Sequence, residues 1–241
     1  MNRTLEHILP RVQKPARYTG GEYNAVVKDR RAVDVRYALC FPDTYEIGMS
    51  NLGVRILYGL MNEMDGVWCE RVFAPWGDME EEMRREGIPL YGLESGDSIA
   101  DFDLIGFSLG YEMAYTNVLN MLDLAGLPLR SGERTELSPI VVAGGTCAFN
   151  PEPLAPFVDL FVLGEGEDVS VEIIQLYRQA REEGWGKEEF LTAAARIPGV
   201  YVPSLYEVSY HGDGTVAAVT PLEGAPARVT KRIVQDFDKS Y

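Results

Sequence analysis

Apolar positions along this chain fall into short unbroken runs that alternate with helical stripes. Residues 35–41 (VRYALCF) read as a strand. Between 54 and 64 the apolar residues stand at 54, 56, 57, 60, 61 and 64, the stripe of an amphipathic helix, with Ser50 or Asn51 as its N-cap. Residues 67–73 read as a second strand. DMEEEMRRE at 78–86 predicts a polar surface helix, its acids early and its bases late, as the helix dipole prefers. Residues 88–93 read as a short strand or extended piece, 104–108 (LIGFS) as a buried strand and 112–124 as a helix. IVVA at 140–143 and LFVL at 160–163 are further strands, and 169–183 is a further helix.

Short apolar strands that alternate with helices predict a mostly parallel sheet covered on both faces. Five such strands suit a doubly wound, flavodoxin-like (Rossmann-like) α/β fold. Sheets of this kind bind ligands at the carboxyl ends of their strands, beside the switch in strand order. The loops 42–51, 74–77, 109–111, 144–150 and 164–167 are therefore where a site is expected. The flanks differ. Residues 1–34 lack periodicity and carry Pro10, Pro15 and Gly20-Gly21, which predicts an extended arm with turns. Beyond Gly186, 187–195 reads as a short helix, and 201–210 and 215–220 as two strands joined by HGDG at 211–214. The tail 221–241, with Pro221, Pro226 and a mixed-charge ending, reads as a connector. The expected organisation is an arm (1–34), an α/β domain (35–186), and a helix, hairpin and connector (187–241).

Composition adds limits. The 241 residues are 46% hydrophobic and 24% charged, as in soluble globular proteins. No run of 18 apolar residues occurs, so no membrane span is expected, and the N-terminus lacks the apolar stretch of a signal peptide. A cytoplasmic location is the default. Cys40, Cys69 and Cys147 lie far apart with no C-x-x-C spacing, which fits reduced, partly buried thiols and encodes no local zinc or iron–sulfur site. Net charge is −15; residues 1–36 hold eight Lys/Arg against four Asp/Glu, so the remainder carries −19. Such a surface repels nucleic acid, while the basic arm is suited to docking on an acidic surface, its own domain's or a neighbour's.

Four of the loops after strands carry distinctive residues: PDTYEIG at 42–48, SLG at 108–110, GGTCAFNPEP at 144–153 and GEGE at 164–167. Glycines there let backbone approach a ligand. GEGE is not a dinucleotide fingerprint, since position 169 is Val, and Glu165 and Glu167 would repel a phosphate. Asp43 and Glu46 are the acidic pair nearest the expected rim. His7 and His211 lie in the arm and the hairpin turn, no nucleophile–base pair stands out, and no catalytic residue or metal ligand is assigned.

Together these loops resemble the cobalamin-binding domain found at the N-terminus of many radical S-adenosylmethionine (radical SAM) proteins. That family shows D-x-H-x-x-G after the first strand, S-x-L after a later one and GG after the next. Here D-T-Y-E-I-G occupies 43–48, SLG at 108–110 is a partial S-x-L, and GG stands at 144–145. The radical SAM members add a D-x-x-x-x-G-E-G-E run, matched by DLFVLGEGE at 159–167. KPARYTGGEYN at 14–24 and the segment 221–241 resemble a bacterial subfamily in which the tail leads into a radical SAM barrel. The resemblance implies a cofactor site of Asp43, Thr44, Tyr45, Glu46, Gly48, Ser108, Leu109, Gly110, Gly144, Gly145, Thr146, Gly164, Glu165, Gly166 and Glu167. It implies an accessory domain that holds cobalamin or positions substrate, partnered by a barrel in cis or on a separate chain.

Two departures qualify it. Tyr45 stands where the cobalt-ligating His would be, so cobalamin is expected without a His lower ligand. The C-x-x-x-C-x-x-C that holds a 4Fe-4S cluster is absent, so the cluster and SAM belong to the barrel, and no radical chemistry is expected of this chain alone. The alternatives are a degenerate module that docks a barrel without corrin, and an independent small-molecule enzyme on the same sheet.

Overall fold

Every residue of Val35–Phe41 (β1) and Val67–Phe73 (β2) is buried in the computed structural model, which describes residues 3–236 and 238. Leu104–Ser108 (β3), Ile140–Gly144 (β4) and Leu160–Val162 (β5) are buried up to their carboxyl ends. Strands with no exposed face need cover on both sides. They form one sheet in the order β2-β1-β3-β4-β5-β6, parallel except for Val200–Tyr201 (β6), which runs antiparallel to β5. The flavodoxin-like α/β fold read from the periodicity is thus observed, and the strand order switches between β1 and β3.

The helices are Arg3–Glu6 (α1), Tyr45–Ser50 (α2), Leu52–Glu63 (α3), Gly77–Glu86 (α4), Tyr115–Leu124 (α5), Glu167–Glu183 (α6) and Lys187–Ala194 (α7). Side chains alternate across a strand, so β1 feeds two cores. Ala38 and Cys40 pack with Met79 and Met83 of α4 and Val118 and Met121 of α5. Tyr37 and Leu39 pack on the other face with Val54 and Met61 of α3, Ile173 of α6 and Phe190 of α7. The side chain of Asn51 accepts from the Val54 amide at 3.0 Å and caps α3, as its position before the stripe suggested. The three cysteines are buried and free.

The arm docks on its own domain. Leu5, Ile8, Val12 and Tyr18 join the first core, while Arg11 pairs with Glu82 at 3.2 Å and Arg17 with Glu46 at 2.9 Å. Two elements differ from the expectation. Helix α2 has no apolar stripe to announce it; it forms because Thr44 turns the chain and Gly48 lets the helix lie against Phe73, whose ring a Cβ would overlap. Residues 88–93 are the extended piece among the two expected forms, with one isolated bridge, Tyr91 to Ser98. The expected strand 201–210 divides at Pro203, which lacks an amide to donate. Val200 and Tyr201 complete the main sheet, and only Tyr206–Tyr210 (β7) and Val216–Pro221 (β8) form the hairpin.

Candidate functional site

A cavity of about 190 Å³ opens at the carboxyl edge of the sheet, beneath α3 and α6. Strand residues Tyr37, Leu39, Gly106, Val142 and Val162 make one wall, and Ile56, Leu57, Ser170 and Ile173 of the helices make the other. Ser108 and Gly144 at the ends of β3 and β4, Gly145, Gly164 and Gly166 of the loops after β4 and β5, and Glu167 at the start of α6 complete the lining. This is the place where the switch in strand order leads a ligand to be sought.

Missing side chains create the space. An added Cβ at Gly106 would overlap the Tyr37 hydroxyl, so the tyrosine ring crosses above this glycine. Gly145 has φ +104, and a Cβ there would stand 2.7 Å from the Leu109 carbonyl. Gly144 differs: the nearest atom to an added Cβ is Val162 Cβ at 3.6 Å, an ordinary contact. The Tyr37 hydroxyl faces the cavity with no hydrogen-bond partner among the described residues. Burial pushes its pKa up, so it remains a neutral donor. The hydroxyl is not sealed off, so water or a bound group in the cavity can meet it.

The residues anticipated from the sequence divide into two groups. Ser108, Gly144, Gly145, Gly164, Gly166 and Glu167 do converge on the cavity. Leu109 supports the wall from behind: its side chain is in the opposite core, its amide donates to the Gly144 carbonyl at 2.7 Å, and its carbonyl accepts from the Cys147 amide at 3.0 Å. Gly110 and Thr146 are exposed beside the opening. The first loop turns away. Asp43 accepts from the Thr44 amide at 2.6 Å and from the Tyr111 hydroxyl, Gly48 packs on Phe73, and Glu46 pairs with Arg17 and Lys14. Glu165 faces the C-terminal tail and accepts from the Val234 amide. Tyr37 and Gly106, which shape the cavity, lie inside strands; the only signal for them was a glycine in the middle of an apolar run.

Tyr45 begins α2 with its ring edge-on to Phe73, centroids 5.5 Å apart, and its hydroxyl donates to Glu22 of the arm at 2.7 Å. Burial and the bond to Glu22 push its pKa up to about 12. Burial works against ionised Glu22, yet the Tyr45 hydroxyl and the Arg71 guanidinium, 2.7 Å away, together hold that carboxyl below its ordinary 4.5. A lowered acid stabilises above its ordinary pKa and fails as pH falls through the folded value. The raised phenol stabilises below its ordinary 10 and fails as pH rises through about 12. Docking of the arm through this pair is thus expected to hold from pH 5 to pH 10, roughly, and to weaken outside it. Tyr45→Phe should cost about 0.5–1.5 kcal/mol. It should also remove one late tyrosine from an ultraviolet absorbance titration; loss of a tyrosine that titrates near the ordinary 10 instead would contradict the pairing.

The chain belongs to the family described as the N-terminal region of radical SAM proteins, which it matches over residues 53–203. That match runs from α3 past β6 and contains all of the cavity except its β1 residues. The D-T-Y-E-I-G loop lies outside it. The chain is also 28% identical over 140 residues to an uncharacterized protein of Methanocaldococcus jannaschii. The aligned region is 57% of this chain and 26% of that protein, so the chain spans about a quarter of the relative's length. Among the described residues, no helix is long and apolar enough to cross a membrane, and no three His, Cys, Asp or Glu side chains are grouped to hold a metal ion.

Proposed function

We propose that this domain holds a cobalamin at the carboxyl edge of its sheet, as the accessory module of a radical SAM protein. The nucleotide base occupies the cavity, and no protein side chain ligates the cobalt from below. The observation that carries the reading is the glycine-cradled cavity with an unpaired hydroxyl inside it. A dry cavity of about 150 Å³ is known to admit benzene, so about 190 Å³ receives most of a flat bicyclic base. Leu39, Ile56, Leu57, Val142, Val162 and Ile173 supply apolar contact, and the Tyr37, Ser108 and Ser170 hydroxyls are available to ring nitrogen and ribose oxygen. Gly144 and Gly145 let the chain linking base to corrin leave the cavity without a side chain in its way. Tyr45 stays a neutral phenol engaged with Glu22, a poor metal ligand. When bound, cobalamin supplies a cobalt centre that carries and releases an alkyl group. SAM and the 4Fe-4S cluster come with the barrel, in cis or on a separate chain.

A second reading, a module that docks the barrel without corrin, is favoured by one feature. Ile47, Leu52, Trp76, Tyr111, Met113 and Phe149 are all exposed in or just after the loops at this same edge, an apolar rim suited to a partner surface. The two are separated by incubating the protein with hydroxocobalamin, or with cobinamide, which lacks the base, and recording visible spectra after desalting. The first reading expects retained cobalamin and much weaker retention of cobinamide. A colourless protein in both cases would leave the docking reading.

A further inference from the structure

The GEGE loop is already occupied, and by the chain itself. Gly164 forms a parallel bridge with Arg232, in which the Arg232 amide donates to the Leu163 carbonyl at 2.7 Å and the Glu165 amide to the Arg232 carbonyl at 3.1 Å. The Glu165 carboxylate accepts from the Val234 amide, one step further along the same segment. Side chains add to this. The Arg232 guanidinium sits on the Glu172 carboxylate and 3.7 Å from that of Asp168, both in the first two turns of α6. The backbones approach because side chains are missing. Gly164 has φ +108, and its Cβ would overlap the Arg232 carbonyl. Gly199 has φ +90, and its Cβ would lie 2.9 Å from Arg232 Cβ.

We propose that this loop and the start of α6 form a capture site for an extended, arginine-bearing segment, filled here by residues 230–234. Gly164 of the loop and Gly199 just before β6, with two backbone pairings and three carboxylates, select backbone shape, one cation and one free amide together. Charge agrees: the loop and α6 bring Glu165, Asp168 and Glu172, and the segment brings Lys231 and Arg232. Gly164 and Gly166 also line the cavity, so the captured segment runs along the outside of the cavity wall. The connector is thereby fixed at the mouth of the site. Glu165 is a positioning residue that acts on the chain's own backbone. The inference stands whether or not a corrin occupies the cavity.

Residue-resolved amide hydrogen exchange on the full chain tests it. The Arg232 and Val234 amides should exchange slowly, and the Ile233 amide between them, which has no partner among the described residues, should exchange at least ten times faster. Glu165→Ala should raise exchange at Val234 ten-fold or more, with core amides such as Val141 unchanged as the control for folding. Glu165→Gln, which keeps an acceptor oxygen, should restore most of the protection. Gly164→Ala should expose Arg232 and Val234 together. Val234 exchanging as fast as Ile233 in the unaltered protein would overturn the proposal, as would slow exchange surviving Glu165→Ala. So would loss of hydroxocobalamin retention in Glu165→Ala with Val234 exchange unmoved, because Glu165 would then be a ligand contact.

Discussion

Asp159→Ala is expected to lower the stability of the fold by about 3–5 kcal/mol, the cost of removing one partner from a buried ionic cluster. The Asp159 carboxylate is fully buried at the start of β5. It lies 2.7 Å from the Lys187 ammonium and 3.3 Å from the Arg134 guanidinium, and it accepts from the Ser131 hydroxyl and the Val141 amide. Arg134 and Lys187 also donate to the carbonyls of Pro128, Leu129, Phe157, Ser131 and Arg134, so neither cation is free to swing into water. Two buried cations would then remain with no anion between them. Because Lys187 begins α7, the same loss would loosen the attachment of α7 to the sheet.

The pH dependence follows from Lys187. Burial lowers its pKa, Arg134 pushes the same way, and Asp159 opposes both. Without Asp159 the value falls further. The unfolded chain then binds more protons than the native one between the lowered value and the ordinary 10.5, so the variant should regain stability as pH rises through that interval. Urea unfolding followed by circular dichroism at pH 7 and pH 9.5 would measure both effects. A loss below about 1 kcal/mol would mean that water reaches the cluster.

Local pattern made the scaffold legible, and long-range pairing hid the chemistry. The five parallel strands could be read because each is mainly apolar, with Arg36 in β1 and Glu70 and Arg71 in β2 as buried exceptions, and α3 because its stripe has a 3.6-residue period with an Asn cap before it. The loops at the carboxyl edge could be ranked because a parallel sheet has one active edge. Six of the residues picked from those loops do meet at one cavity. What the spacing of D-T-Y-E-I-G does not contain is the direction of Tyr45, decided by Glu22, 23 positions earlier. The role of Glu165 depends on Val234, 69 positions later. Tyr37 and Gly106 occupy neighbouring strands, and an apolar-run reading does not separate a tyrosine that faces a cavity from one that fills a core.

The glycines of the GG pair are expected to behave in opposite ways, and the difference tests the site. At Gly145, φ +104 and the Leu109 carbonyl leave no room for a side chain, so Gly145→Leu should cost on the order of 1–3 kcal/mol and change the loop as a whole. Gly144 is the last residue of β4, on the same strand face as Val142, and its added Cβ would make only an ordinary contact with Val162. In Gly144→Leu the new side chain has one place to go, the cavity. Filling apolar space in this way is worth roughly 1.5–3 kcal/mol before lost rotamer freedom is subtracted, so the variant should melt at the parent temperature or a few degrees above it. The same side chain stands where the nucleotide base is proposed to sit. Hydroxocobalamin retention should then fall on the order of 100-fold, about 2.7 kcal/mol, while the already weak cobinamide retention stays as it was. A variant that melts at or above the parent temperature and keeps its cobalamin would place the base somewhere other than this cavity. A variant that melts well below the parent would show that the space between Gly144 and Val162 is smaller than the geometry indicates, and Gly166→Ala, whose nearest neighbour is Leu57 at 3.4 Å, would then narrow the opposite wall.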